Sequence, residues 1–124
     1  MANVLLIKAG IAASLISPYR IVKFDAADAT YVQTAAAADL SVGVCESVGP
    51  AKGEPVDVIK AGIADVEYGG TVTRGQPLTS DAQGRAVAAA PAAGSNVRII
   101  GFAEVSGVSG DIGAVLISPC VMQG

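Results

Sequence analysis

Histidine and tryptophan are absent from this chain of 124 residues, and aromatic residues make up only 4% of it. Without histidine the commonest general base and metal ligand is missing, and Cys45 has no imidazole to activate it as a nucleophile. The two cysteines, Cys45 and Cys120, are too few for a structural zinc site and are expected to be reduced, small and buried. Charge is scarce too. Eight basic and 11 acidic residues give a net charge of −3, with no basic stripe and no interleaving of basic with aromatic side chains. Direct nucleic-acid binding is therefore not expected. No apolar run reaches the length of a membrane-spanning helix, so no membrane partner is expected either. Ser14, Ser17, Ser80 and Ser118 sit in turn-like surroundings. Together these absences point away from an enzyme: no catalytic residue, no cofactor and no metal site are expected.

What is present is mostly small and β-branched. About half of the residues are apolar, and Ala and Val dominate that set. Fifteen Gly and six Pro imply many turns. A core built this way is thin, and a small domain with a thin core gains stability from neighbours. No segment keeps the helical period over ten residues. Short alternating runs recur instead: Tyr19 to Phe24, Thr30 to Thr34, Ser41 to Val48, Pro55 to Ala61, Ile63 to Tyr68, Pro77 to Thr79, Arg85 to Ala88, Asn96 to Val105 and Ile112 to Ser118. Asp25 to Asp28 and Ser80 to Gly84 are hairpin turns, and Pro119 to Gly124 reads as a tail. The expected fold is all-β, a compact sandwich or barrel of about nine to eleven short strands.

The chain repeats itself. Residues 20–62 align with residues 76–119 at an offset of 56 to 58. Val22, Asp25 and Ala26 fall on Leu78, Asp81 and Ala82. Gly43, Val44 and Glu46 fall on Gly101, Phe102 and Glu104, and Val58 and Ile59 fall on Val115 and Leu116. An internal duplication of a β unit explains this, because two open sheets that close on one another hide their edges. The domain expected is residues 18–124, preceded by an N-terminal arm, residues 1–17. The arm is read as part of the mature protein, because no basic cluster leads it and Gly10 interrupts its apolar stretch.

Three further features carry candidate chemistry. Val4, Leu5, Leu6, Ile7 and Ile11 precede the repeat, and residues this apolar need a surface to cover. That surface is a neighbouring copy, a larger partner, or the chain's own barrel closed by an extra strand. Asp57, Asp65 and Glu67 are expected on adjacent strands as an ion-pair face rather than a cation site. The hexapeptide Ile-Lys-Ala-Gly-Ile-Ala occurs at residues 7 and 59, with Lys8 and Lys60 expected in solvent. The rhythm from Gly62 to Val87 is similar to lipoyl and biotinyl carrier domains, but the hairpin tip Ser80 to Gly84 lacks the lysine such carriers need.

Several phrases occur in a telling order. Ser17 to Phe24 comes first, then Val56 to Ile59, then Ala61 to Gly70. Leu78 to Asp81, Gly84 to Val87, Ile99 to Gly101, Gly110-Asp111 and Val115 to Pro119 follow. In this order the chain resembles the capsid cement, or head decoration, proteins of tailed phages. The resemblance implies a small non-enzymatic β protein on the outer capsid surface of the virion, assembled in the bacterial host cytoplasm. There it would reinforce the head against the pressure of packaged DNA. It implies the major capsid protein as partner and a homo-oligomer, a trimer first and a dimer as the alternative. The family has no catalytic residues to carry over.

Overall fold

The structure, a computed structural model, describes residues 3–46 and 49–124, so Ser47 and Val48 at the end of one expected strand lie outside the described residues. The described chain is all-β, with nine strands: β1 (Asn3–Ala12), β2 (Arg20–Phe24), β3 (Thr30–Gln33), β4 (Ser41–Cys45), β5 (Pro55–Glu67), β6 (Pro77–Ser80), β7 (Ala86–Ala88), β8 (Asn96–Ala103) and β9 (Ile112–Gln123). Two expectations shift. The runs on either side of Gly62 form one strand, because Gly62 adopts φ of 100° and absorbs the bend without ending the pairing. The expected tail is strand as far as Gln123, paired along Asn96–Ile99 of β8.

The strands run β1-β3-β2-β4-β5-β9-β8-β6-β7, and β1 also pairs with β5. The first five therefore close into a ring. Its seams are the antiparallel β1–β5 pair and a short parallel contact in which Ile11 faces Thr30 and Ala12 faces Tyr31. Residues 3–12, read from the sequence as an arm ahead of the β unit, are thus the first strand of this ring. The remaining strands, with the second half of β5, form a matching set, and β7 reaches back to the end of β5 through a parallel bridge, Tyr68 to Ala86.

The two sets share one register. Val22 pairs with Gly43 as Leu78 pairs with Gly101, and Val44 pairs with Ile59 as Phe102 pairs with Leu116. The loops agree as well. Ala12 N donates to Glu54 O as Tyr68 N donates to Asp111 O, and Ile16 N to Pro50 O as Val72 N to Gly107 O. Gly53 N donates to Ala12 O as Gly110 N donates to Tyr68 O. The correspondence therefore starts before Arg20. Ile7 pairs with Ile59 as Ile63 pairs with Leu116, so β1 corresponds to the second half of β5. The matching hexapeptides are something else: they lie on facing strands, Ile7 opposite Ile59.

Two aligned glycines show why the pattern is strict. A Cβ on Gly43 would strike Ile59 O, and one on Gly101 would strike Leu116 O. At both positions a backbone crosses too closely for any side chain. The cores are thin, as the composition requires: Ile21, Val44, Val66, Leu78, Ile100 and Val115 fill the larger cluster, and Ile16, Val22, Tyr31 and Val58 the smaller. Each buried aliphatic side chain contributes ~1.5–3 kcal/mol, so the Ala positions of this core contribute less than larger residues would. Cys45 is buried as expected. Cys120 is exposed, because the alternation of β9 turns it outward.

Candidate interaction surface

β1 is apolar on a strand that is only partly covered. One edge lies along β5, while β3 meets it only at Ile11 and Ala12. Among the described residues, the rest of that second edge has no strand partner. The five residues singled out from the sequence are all exposed, from 36% at Val4 to 83% at Leu5, with Leu6, Ile7 and Ile11 between. Register slips between Val4 and Leu6 and between Leu6 and Ile7 keep the strand from presenting a flat, regular edge. Bulged edges resist indiscriminate strand pairing, and the apolar side chains of this strip stand in water beside such an edge.

Beside this strip lies a groove lined by Val4, Ile7, Ile59, Tyr19, Glu46, Asp57 and Asp65. Three of its lining residues are aliphatic and three are acidic. The Glu46 carboxylate accepts a 2.5 Å hydrogen bond from the Asp65 backbone N–H. Of the acidic trio read from the sequence, Asp57 and Asp65 meet here, joined by Glu46. Glu67 goes elsewhere, to Arg20 at 2.9 Å and Arg85 at 3.8 Å, while Arg85 Nε reaches Asp81 at 3.0 Å. Among the described residues no group of three or more Cys, Asp or Glu is placed to hold a metal ion.

Lys60 is not simply in solvent: its ammonium lies 4.6 Å from the centre of the Phe24 ring, which stacks on Tyr31. Phe24 is itself exposed, and the sequence reading did not single it out. At the end of β2, just before a hairpin turn, no local sequence signal distinguishes it. Nearby, Asp39 bridges to Lys23 at 3.3 Å. Burial pushes the Asp39 carboxyl up, but the Ala35 and Ala36 N–H groups and Lys23 outweigh it and hold the group below its ordinary value. The hairpin tip of a carrier would have to stand in solvent. Here the tip packs against the first ring, with Gly84 O accepting from Ile21 N and Gln83 O from Gln33 Nε2.

No protein-family model matches this chain, and no curated protein matches its sequence. Among solved structures it is similar to the N base of the head fiber gp8.5 of bacteriophage phi29. The TM-score is 0.70 at 20% identity, covering 91% of this chain and 93% of that one. At that identity the likeness is one of fold.

Proposed function

We propose that this chain is a structural protein of a tailed-phage virion, bound to the outer surface of the head, where it acts as cement or decoration. The observation that carries this reading is the fold shared across nearly the whole of both chains with the base of a phage head fiber. The apolar strip of β1 supports it, because a structural piece with a thin core draws stability from the lattice it joins. Val4, Leu5, Leu6, Ile7 and Ile11 would supply the contact, to the major capsid protein or to a neighbouring copy. A homotrimer is the assembly favoured, with a dimer as the alternative.

Quantitative mass spectrometry of purified virions tests the reading. The chain is expected at a copy number comparable to the major capsid protein, and its absence from virions would refute the proposal. A double variant, Leu5→Asp with Leu6→Asp, is expected to keep its β circular dichroism while losing attachment to heads.

A further inference from the structure

The molecule contains a ring seated on a ring, and its outer ends are altered versions of the two surfaces that meet inside. At the internal junction the hairpin end of the second ring meets the start of β2 in the first. Thr34 Oγ1 and Ser80 Oγ lie 2.6 Å apart and are both buried, Arg20 pairs with Glu67, and Ile21 N donates to Gly84 O. The shared register identifies the counterparts. Ser80 faces Ala86 as Phe24 faces Tyr31, Glu67 faces Ile112 as Ile11 faces Pro55, and Ala89 N donates to Pro77 O as Thr34 N donates to Ile21 O.

The free hairpin end of the first ring therefore carries Phe24 where the junction has Ser80, and Ile11 where it has Glu67. The free end of the second ring carries Ala89 where the junction has Thr34, Gln76 where it has Arg20, and Pro77 where it has Ile21. A buried hydroxyl pair has become a large apolar residue at one end and a small one at the other. An ion pair has become isoleucine and glutamine. Two backbone bonds of the junction, Ile21 N to Gly84 O and Glu67 N to Tyr19 O, have no equivalent donor free at the ends, since Pro77 has no N–H and Ile11 N already donates to Ala29 O. Phe24 is 47% exposed, whereas its counterpart Ser80 is 5% exposed. Phe24 is partly engaged already, stacked on Tyr31 at 5.2 Å with the Lys60 ammonium 4.6 Å from its ring centre, and the face it leaves in water is the one a second copy would cover.

We infer that copies of this chain associate head to tail. The Phe24–Ile11 end of one copy sits on the Ala89–Gln76 end of the next, through side-chain contacts that mimic the internal junction. Such an interface joins two unlike surfaces, and it closes into a ring or extends according to its rotation. The inference stands apart from the phage assignment, because its test needs no capsid.

The test uses the full chain in solution, with sedimentation velocity as the readout. The parent protein is expected to self-associate, and Phe24→Asp and Ala89→Asp are each expected to be monomeric with unchanged β circular dichroism. Mixed one to one, they should form a heterodimer and stop there, since one sound head and one sound tail remain. A parent that stays monomeric at millimolar concentration, or a mixture that stays monomeric, overturns the inference. Cysteine pairing gives a second readout independent of those variants. In a Cys120→Ser background, Phe24→Cys mixed with Ala89→Cys should cross-link as a heterodimer under mild oxidation. Cross-linking of Phe24→Cys to itself in place of the heterodimer would instead indicate a two-fold interface and would sink the proposal.

Discussion

In the first ring the core tyrosine is Tyr31, on β3, and it faces Ala12 across the parallel seam. In the second it is Tyr68, at the end of β5, and it faces Ala86 on β7. The pair is the same and its members have changed places. Each ring also opens a gap for its tyrosine: a Cβ on Gly10 would strike the Tyr31 ring, and one on Gly113 would strike the Tyr68 ring. The glycines have changed places as well, since Gly10 faces Val56 while Val66 faces Gly113. What the two rings hold in common is a volume, one large ring against one small residue with glycine on the facing strand making room. Close packing preserves that sum and is indifferent to which strand supplies it. Identity between the halves is therefore low where the packing is most alike.

The largest test of this comparison removes the strand whose counterpart is internal. Deleting residues 3–12 takes the first ring's opening strand and its seam with β3. The expected outcome is loss of a cooperative urea transition followed by circular dichroism, rather than a folded domain lacking an arm.

Next in size is a methyl group at the paired glycines. Gly101→Ala is expected to destabilise by about 3 kcal/mol or more, since the added carbon meets Leu116 backbone atoms that cannot turn aside. Gly43→Ala should have a smaller effect, because part of its obstruction is the Val58 side chain. Urea denaturation of the two variants ranks them, and equal effects would mean that the crossings are not alike in rigidity.

A finer contrast separates the tyrosines. Tyr68 donates to Val105 O at 2.7 Å, whereas the Tyr31 hydroxyl has no hydrogen-bond partner among the described residues. Tyr68→Phe should lose about 1 kcal/mol, while Tyr31→Phe should be neutral or slightly stabilising. Chemical denaturation of both variants checks the difference.

The smallest effect is one of pH. Burial, and then the Asp111 charge, raises the Tyr68 phenol above its ordinary value of 10.0. A raised folded value means that Tyr68 contributes its full stability below about pH 10 and loses it as the pH climbs through the folded value. Stability measured across that range should fall less steeply in Tyr68→Phe than in the parent.

Much of the fold was legible in the sequence, because alternation and turn chemistry are local. The Asp-Ala and Asp-Ala-Gln-Gly turns stood out, and so did the strands beside them. The aligned glycines were visible too, since a backbone crossing leaves no other residue possible. Other features depend on what is distant. The start of the repeat was hidden because the counterpart of β1 is not a separate strand but the second half of β5. The candidate surface was half legible: the apolarity of Val4 to Ile11 is plain in the sequence. That Phe24 stands in water while Ser80 is buried follows from which ring has another seated on it, and no local pattern encodes that.

β5 is the last strand of one ring and the first of the next. The two pairings overlap only at Gly62 and Ile63, and the strand runs through that point without a loop. A protease would therefore find no exposed linker at which to separate two modules. By the same logic its amide protons should exchange with deuterium only when the whole molecule opens, even though the rings on either side look separable.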